Sequence, residues 1–348
     1  MATIQDVARL ANVSVSSVSN VLNGRTERMR AETFARIEEA IEKLGYRPNQ
    51  IARHLKTGNI PVLGLLVPST SNPSFAHLAV AVEEVAQRRH NYRVLVCNTY
   101  RDQRLEAKML DDLIGLGIRT VIVISSIGDE RHIDAAINRG LAVVSYDSGI
   151  SASRTPTHDH VLPDNTLAGR LAAEHLISHG HKRLAFAKPR GETISRRQKV
   201  EGFLAAIEAA GPGHSAQIIE VDAGSRFGDN ELSKVGFDAA RQIATMKERP
   251  SGVVAVNDMT AIGLMAGLRD SGLSIPDDVS VVGMDNIAVA EYVWPPLTTI
   301  ATPVKEVAET MVEQALARAR NPDLPPAEFS FPPVLVERQS VTRPRDSI

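Results

Sequence analysis

The sequence predicts an all-α helix-turn-helix head at the N-terminus followed by an α/β body of two lobes with parallel sheets. Three observations support this. Residues 1–46 have apolar residues at helical spacing in short segments, and residues 47–59 contain proline and glycine, which interrupt helices. From residue 60 onward, short apolar runs alternate with helical patterns, and 348 residues are too many for one ordinary domain.

Composition excludes several classes of protein. A hydrophobic share of 43% is typical of a globular chain with a substantial core, and no apolar stretch is long enough to span a membrane. The first residues lack the basic and apolar regions of a secretory signal. The single cysteine, Cys97, cannot form an internal disulfide. We therefore expect a cytoplasmic protein.

The net charge of −2 is unevenly distributed along the chain. Residues 1–59 contain nine Lys or Arg against six Asp or Glu, a net charge of +3, so the remainder carries −5. A basic head on a mildly acidic body suits local contact with a polyanion such as nucleic acid.

The head begins with two predicted helices separated by a tight turn. In the first, over residues 4–11, apolar residues recur at positions i, i+3, i+4 and i+7, and Thr3 precedes them as the N-cap. Ser14 caps the second helix, and Asn23-Gly24 ends it. This arrangement is typical of a helix-turn-helix unit.

A third helix, predicted from about residue 31 to residue 44 and closed by Gly45, would brace the first two. The second helix is rich in Ser and Asn, which are poor helix formers. Their donors and acceptors suit contact with base edges and phosphates, which favours a DNA-binding head. The alternative is a small helical bundle that binds another protein.

Two segments carry motifs of a known family. They are TIQDVA followed by VSVSSVSNVLN within residues 3–23, and LGYRPNQIARHL at residues 44–55. Both resemble the head of the lactose-repressor (LacI/GalR) family, and the resemblance continues through the whole chain. It implies a sequence-specific DNA-binding transcriptional regulator, expected to be a repressor, whose operator affinity depends on a small-molecule effector such as a sugar or sugar acid.

The resemblance assigns DNA contacts to individual residues of the head. It places Val15, Ser16 and Asn20 at base edges in the major groove. The residues placed at the phosphates are Thr3, Ser14, Ser19 and Asn23. Many family members have arginine at the position of Asn20. Because asparagine pairs best with adenine and arginine with guanine, we predict an operator half-site shifted towards A·T at that base.

Residues 47–59 are predicted to form a linker, because Arg47-Pro48 prevents the preceding helix from continuing. In the family this segment is a hinge helix that orders on the operator, where paired leucines enter the minor groove. The resemblance therefore implies a hinge helix over residues 49–56 that includes Asn49. Leu55 would be the apolar wedge and Ala52 the small residue where two hinges approach. A passive tether is the alternative.

The body, from residue 60, is predicted to contain parallel strands buried on both faces. The rhythm restarts near Pro163, which indicates two lobes, similar to those of type I periplasmic binding proteins, which the family's regulatory body resembles. We expect the N-terminal lobe to comprise residues 60–162 and 292–323. The C-terminal lobe would comprise residues 163–291 and 324–348, with a closing strand within 334–340.

Ligands of open α/β sheets bind beyond the carboxyl ends of the strands, and in two facing lobes these ends converge on a cleft. This rule selects residues that follow predicted strands. They are Ser71, Asn72, Phe75, Ser125, Asp147, Lys188, Arg190, Asn257, Asp258 and Asp285. Asn257-Asp258 also begins a helix, so one interpretation is a simple N-cap. The resemblance implies that Asp258 binds effector hydroxyls or amines.

Lys199 stands where the family has an arginine that binds the effector. Arg196 and Arg197 precede it, and Lys188 and Arg190 lie on the preceding loop. Five cations near one cleft wall would favour an anionic ligand, such as a sugar acid or a phosphorylated sugar. The alternative is that most of them point to solvent.

Trp294, the only tryptophan, precedes Pro295-Pro296, where the chain is expected to cross back to the first lobe. Two interpretations of Trp294 are possible: a sugar ring stacks on its indole, or its side chain is buried as an anchor at the crossover.

The histidines suggest a metal site at first sight. They are His175, His179 and His181, and the pair His158 and His160. The first three lie at a predicted helix C-terminus, where imidazoles interact favourably with the helix dipole, so we predict no metal and no cofactor. Phosphate-loop, nucleophile-elbow and dinucleotide-binding motifs are missing at the places where they would act. We therefore expect a protein that is not an enzyme.

One head makes too few contacts to find an operator among genomic competitors. We expect a homodimer with twofold symmetry, formed mainly through the first lobe, on a near-palindromic double-stranded operator. A tetramer stays open. The alternatives are a solute-sensing binding protein or an activator of the same fold, and an α/β enzyme with an accessory DNA-binding domain.

Overall fold

The computed structural model describes residues 2–22, 24–27, 29–46, 61–125, 128–148, 156–224 and 231–345. The chain forms two compact units, Met1–Ile60 and Pro61–Ile348, which are the head and the body.

The head contains three helices: α1 (Ile4–Leu10), α2 (Val15–Leu22) and α3 (Ala31–Lys43). The N-cap predicted for α1 is confirmed, because Asp6 N donates to Thr3 Oγ1 at 3.3 Å and Thr3 N donates to Asp6 Oδ2 at 2.9 Å. Ser17 N likewise donates to Ser14 Oγ at 3.2 Å ahead of α2. The buried core of this unit consists of Val7, Ala8, Ala11, Val18, Ile37 and Ala40.

The first lobe of the body is built on a parallel sheet of six strands in the order β11-β5-β4-β3-β1-β2. These strands are β1 (Val62–Val67), β2 (Arg93–Asn98), β3 (Thr120–Ile124), β4 (Ala142–Tyr146), β5 (Asp159–Pro163) and β11 (Glu328–Phe331). The lobe's helices are α4 (Pro73–His90), α5 (Gln103–Gly115), α6 (Arg131–Ile137) and α11 (Val304–Arg320). α4 and α11 cover one face of the sheet, whereas α5 and α6 cover the other.

The second lobe has a sheet in the order β12-β10-β9-β8-β6-β7, in which only β12 is antiparallel to its neighbour among the described strands. These strands are β6 (Arg183–Pro189), β7 (Ser215–Val221), β8 (Gly252–Ala255), β9 (Ser280–Met284), β10 (Thr298–Ala301) and β12 (Val334–Val336). The helices are α7 (Asn165–Ser178), α8 (Ile194–Ala209), α9 (Leu232–Ala244) and α10 (Asp258–Asp270). α7 and α8 pack on one face, and α9 and α10 on the other. The predicted closing strand is thus β12.

The lobe boundaries differ from the sequence expectation after residue 291. Residues 292–323 were expected in the first lobe, but residues 298–301 form β10 of the second sheet. Residues 324–348 were expected in the second lobe, but residues 328–331 form β11 of the first sheet. The chain therefore crosses between the lobes after β5, between β10 and α11, and between β11 and β12. Pro295-Pro296 lies before β10 and marks no crossing, because β10 pairs with β9 beyond it.

A buried ion pair fixes this return of the chain to the first lobe. Arg318 on α11 donates from Nη2 to Asp159 Oδ1 of β5 at 2.6 Å, and Ala327 N donates to the same oxygen at 2.8 Å, just before β11. Both charged side chains are almost fully buried, so each needs the other's charge.

Among the helices of the described ranges, none combines the length and the apolar character needed to cross a lipid bilayer.

Close packing of α7 against α8 positions the wall of the second lobe. A Cβ atom built on Gly169 would overlap the carbonyl group of Lys199, and one on Gly202 would overlap that of Thr166. Only glycine allows two helix backbones to approach this closely. The contact fixes the axial position of α8 and therefore of the side chains that it directs towards the first lobe.

Candidate ligand cleft and nucleic-acid interface

A cavity of about 100 Å³ lies between the two lobes, at the carboxyl ends of the parallel strands. The first lobe contributes Asn72, Ser74, Phe75, Leu78, Arg101, Tyr146, Asp147 and Pro163. The second contributes Asp164, Asn165, Ala168, Ser195, Arg196, Lys199, Val256, Asn257, Met284, Asp285 and Ile300. Two further lining residues, Thr302 and Pro333, belong to the crossings between lobes, and Val304 begins α11 of the first lobe. A ligand here would contact both lobes at once.

Three charged residues of the lining hold backbone conformations that non-glycine residues rarely adopt. The φ angles of Arg101, Asp147 and Asp285 are 54°, 58° and 112°. Each follows the end of a parallel strand, where the chain turns sharply and presents its side chain to the cavity. Such conformations cost free energy and are concentrated at functional sites, which marks this cleft as a candidate site.

Asp147 and Asp285 are carboxylates from opposite lobes. Asn165 Nδ2, on α7, donates to Asp147 Oδ1 at 2.7 Å and so connects the lobes across the cleft. Burial raises the pKa of the Asp285 carboxyl to about 6, and the charge of Asp147 adds to this rise, whereas Lys199 opposes it. At neutral pH the ionised Asp285 is an acceptor with little solvent around it.

The cations of the lining balance its acids. Arg101, Arg196 and Lys199 face Asp147, Asp164 and Asp285 in the same cavity. Arg196 donates to Gly191 O at 3.0 Å, and Lys199 Nζ donates to Val256 O at 3.2 Å. The cleft therefore offers donors and acceptors in similar number.

Of the five cations considered from the sequence, Arg196 and Lys199 line the cavity, so the interpretation as one cationic wall is wrong. Arg190 and Arg197 are exposed, as the alternative expected. Lys188 is buried elsewhere, 2.7 Å from Glu220 and 3.3 Å from Glu192. Arg197 points away from the cavity and lies 3.5 Å from Glu201, and Arg190 is exposed outside the lining. The helical period explains the difference: positions 196 and 199 share one face of α8, and position 197 is rotated by about 100° from it.

Asp258 does not line the cavity. Its buried carboxylate accepts hydrogen bonds from Thr299 Oγ1 at 2.5 Å and from Ile287 N at 2.9 Å. Burial, and then the charge of Asp285, raise its pKa to about 8. It therefore anchors the loop after β9 that carries Asp285. The N-cap of α10 is Asn257, whose Oδ1 accepts from Thr260 N at 2.9 Å, and Asn257 also reaches the lining.

Three other predicted residues lie away from the cavity. Ser71 is exposed and its Oγ is 2.6 Å from Ser69 Oγ. Ser125 is buried behind Arg101, which donates to its carbonyl oxygen. Trp294 is 75% exposed, so it neither stacks in the cleft nor anchors a crossover, and both interpretations of it are wrong. The crossing lies several residues further on, and solvent surrounds the indole instead.

Several lining residues were not predicted as site residues. Arg101 follows β2 at the same sheet edge as Asn72, so the strand-end rule, applied to this strand as well, would have selected it. Asp164 and Asn165 follow β5, a short strand that the pattern of apolar residues did not reveal. Arg196 was noted, but Arg197 was preferred to it.

The head presents a polar helix surface to solvent. On α2, Val15, Ser16 and Asn20 are exposed, whereas Val18 on the opposite face is fully buried. Ser14 and Thr3 are exposed at the ends of their helices, and Ser19 is partly buried. A stable helix with hydroxyl and amide groups on its outer face can enter a DNA groove. Four predicted DNA-binding residues lie outside the described residues: Asn23, Asn49, Ala52 and Leu55.

A helix-turn-helix head with an exposed polar helix, joined to a two-lobed body with a polar cleft, defines a class: transcriptional regulators that carry their own small-molecule receptor.

Comparison with known proteins agrees with this class. Residues 3–49 match the family described as bacterial regulatory proteins, lacI family, and residues 173–341 match the periplasmic binding protein-like domain. The HTH-type transcriptional repressor PurR of Vibrio atlanticus is 33% identical over 344 residues, which cover 98% of this chain and 99% of that protein. PurR of Photobacterium profundum is 32% identical, again over 98% and 99% of the two chains.

Solved structures show the same fold. A LacI family transcriptional regulator from Enterococcus faecium with bound ribose aligns with a TM-score of 0.70 at 28% identity, over 81% of this chain and 99% of that one. The lac repressor dimer bound to operator and the anti-inducer ONPF aligns with a TM-score of 0.83 at 23% identity, over 98% and 99% of the chains.

The chain belongs to the lacI family of bacterial regulatory proteins. It is a DNA-binding transcriptional repressor and not an enzyme.

Proposed function

We propose that a small polar effector, a sugar or sugar acid, binds in the cleft and sets the affinity of this repressor for its operator. The observation that carries the proposal is the cavity itself, because its polar and charged lining comes from both lobes. A ligand that contacts both lobes stabilises one relative arrangement of them over others, and this is the requirement for a ligand-controlled switch.

The chemistry of the lining suits a polyhydroxylated ligand. Carboxylates such as Asp147 and Asp285 accept hydrogen bonds from hydroxyl groups, and Arg196 and Lys199 donate to ring or hydroxyl oxygens. Phe75 offers a ring face to the apolar side of a sugar. The regulator from Enterococcus faecium, with ribose bound, supports the sugar class. The three cations in the lining would also bind the carboxylate of an acidic sugar.

On the DNA side, we assign base-edge contacts in the major groove to Val15, Ser16 and Asn20 of α2. Phosphate contacts are assigned to Thr3, Ser14, Ser19 and Asn23. The hinge residues Asn49, Ala52 and Leu55 are assigned to the minor groove. The exposed, polar outer face of α2 supports the first assignment.

We assign the biological unit to a homodimer on a near-palindromic operator. β2 is the edge strand of the first sheet, and it exposes Leu95 and Val96, which a neighbouring subunit would cover. Val289, Tyr292 and Trp294 form a second exposed apolar group, on the other lobe. Closure of the clefts in such a dimer would change the spacing of the two hinges.

A ligand screen with a matched variant tests the effector site. We expect a sugar or sugar acid to raise the melting temperature of the full chain in a thermal-shift screen. Asp285→Asn removes a charged acceptor from the cavity and should abolish the shift, whereas Asp323→Asn, an exposed acid outside the lining, should leave it unchanged. A ligand whose shift is equal in wild type and Asp285→Asn would show that it binds elsewhere.

A further inference from the structure

A second group of polar side chains lies away from the cleft, at the C-terminal end of α7. His175 is in the last turn of this helix, and His179 follows one turn later as its C-cap. Their rings lie 4.5 Å apart, centroid to centroid. Glu337, directly after β12, approaches the same place from the far end of the sequence. One ligand atom from each of the three lies within 4.8 Å of the others.

His175 carries a polar atom that the fold leaves unsatisfied. Its side chain is buried, with 8% of the residue exposed, and its Nε2 has no hydrogen-bond partner among the described residues. An unsatisfied buried nitrogen costs free energy, so it needs an explanation. A bound ion between His175, His179 and Glu337 would supply one.

The hydrogen bond of His179 leaves its other ring nitrogen available. His179 Nδ1 is 2.8 Å from the carbonyl oxygen of His175. Because a carbonyl oxygen only accepts, Nδ1 carries the proton, and Nε2 of the neutral ring therefore has a free lone pair. Metal-binding histidines commonly donate their second N–H to a backbone carbonyl in this way, which fixes the tautomer and the ring orientation.

We propose that His175, His179 and Glu337 bind a Zn²⁺ ion. Two imidazoles and one carboxylate are a donor set that Zn²⁺ accepts, with water in the fourth position. Ligand atoms of a tetrahedral zinc site are about 3.3 Å apart, so the donors must move together slightly. Glu337 is exposed and His179 only partly buried, so both can adjust while the buried His175 stays in place.

The histidines alone suit a helix C-terminus, which is why their sequence pattern predicts no metal. Glu337, which completes the donor set, is far away in the sequence and comes close only because β12 joins the second sheet.

A second cluster, Glu130, His158 and His160, fits an ion less well. In this cluster, Ser145 Oγ is 2.6 Å from His158 Nε2 and Thr157 Oγ1 is 3.1 Å from His158 Nδ1, so both ring nitrogens of His158 already have hydrogen-bond partners. Ser148 Oγ is likewise 3.0 Å from His160 Nδ1.

The ion would attach the C-terminal segment to the second lobe. Glu337 begins a stretch that already contacts the lobe through Ser340, whose Oγ donates to Val281 O, and through Thr342, whose carbonyl is 2.9 Å from His181 Nε2. Zn²⁺ bound between α7 and Glu337 would therefore stabilise the folded body, because the unfolded chain lacks the preformed site.

Calorimetric titration of the metal-free full-length chain with ZnCl₂ alone tests the proposal. We expect binding at this site in wild type, and an affinity at least about tenfold lower in His179→Ala and in Glu337→Gln. Both changes are at partly or fully exposed positions, so the variants should fold. Two matched controls should keep the wild-type affinity. Glu174→Gln removes an exposed acid beside His175, and His214→Ala removes a partly buried histidine whose Nδ1 also faces a carbonyl oxygen.

Thermal unfolding with and without ZnCl₂ gives a second measurement. Zn²⁺ should raise the melting temperature of wild type and of both controls, but not that of His179→Ala or Glu337→Gln. The proposal is overturned if wild type binds no zinc, or if the two site variants keep both its affinity and its melting shift. Binding that survives in those variants would place the ion elsewhere. Neither outcome bears on the effector cleft, which shares none of these residues.

Discussion

Asp285 shows how a single residue of the cleft combines function with a cost in stability. Its backbone has a φ of 112°, and its carboxyl group lies near the buried Asp258 and the opposing Asp147. Asp258 in turn accepts a hydrogen bond from Ile287 N, in the loop that carries Asp285. Two acids close together in a buried place do not both ionise easily. With its pKa raised to about 8, Asp258 stays mostly protonated at neutral pH, whereas Asp285, with a pKa of about 6, ionises there at a cost to the folded state. A functional role explains this cost if a bound ligand donates hydrogen bonds to Asp285, the member of the pair that lines the cavity.

The pH dependence of stability follows from this cost. The folded-state pKa of Asp285, about 6, is above its ordinary value of 3.8, so the folded chain binds more protons than the unfolded chain between these values. The contribution of Asp285 to stability therefore falls as the pH rises from about 4 through 6. Asp285→Asn removes this loss, and we expect the variant to be more stable than wild type at pH 7 by about 1–2 kcal/mol.

Urea unfolding of the ligand-free proteins between pH 4 and pH 8 measures the effect. The gap between Asp285→Asn and wild type should narrow as the pH falls and should be small near pH 4. A variant less stable than wild type at pH 7 would contradict the cost assigned to the ionised Asp285.

Asn20 carries the prediction about DNA sequence at the same scale. An asparagine on the outer face of α2 can donate to and accept from adenine, whereas arginine suits guanine O6 and N7. We expect operators selected from random DNA to have A·T at the base that Asn20 contacts. Asn20→Arg should shift that one position to G·C and leave the rest of the selected site unchanged. A guanine preference in wild type would show that Asn20 does not contact that base as assigned.

At the scale of elements, the contact between α7 and α8 positions the cleft wall of the second lobe. Because Gly202 lies against the backbone of Thr166, a methyl group there would force the two helices apart. We expect Gly202→Ala to destabilise the body by about 2–3 kcal/mol. Denaturant unfolding measures this, with Glu201→Ala as the control, since Glu201 is exposed on the same helix. Equal stability of the two variants would mean that the helices can separate freely.

The elements also show what the sequence could and could not predict. Long apolar strands and amphipathic helices were identifiable because burial on both faces leaves continuous apolar runs, as in β1 and β3. β5, β10 and β11 were not predicted. β5 begins with Asp159 and His160, whose burial depends on partners distant in sequence, including Arg318. A local pattern contains no information about such a partner.

The same limit applies to the cleft. The strand-end rule selected Asn72, Phe75, Asp147, Asn257 and Asp285, all of which lie in the lining, because parallel strands bring their ends together whatever their sequence. Which of several neighbouring side chains faces the cavity depends on the rotation of the helix about its own axis. One position along α8 separates Arg196, in the lining, from Arg197, outside it, and the sequence does not give the rotation of the helix.

At the scale of the whole molecule, the hinge must act on DNA rather than on the effector if it links the head to the operator as proposed. Leu55 is assigned to the minor groove, so Leu55→Ala should weaken operator binding by at least about tenfold. Effector affinity should stay within twofold of wild type, because the residue belongs to the other compact unit of the chain. Fluorescence anisotropy for DNA and calorimetry for the effector measure the two. Unaltered operator affinity would show that the linker is a passive tether.

The central claim is that the cleft and the DNA-binding head share one free energy of coupling. The most direct test is to measure operator affinity with and without the effector, and effector affinity with and without the operator, at fixed salt concentration. Both affinities should change by the same factor, which for typical coupling is about 5- to 150-fold, upwards for a co-repressor and downwards for an inducer. An effector that binds the cleft and leaves operator affinity unchanged would contradict the account.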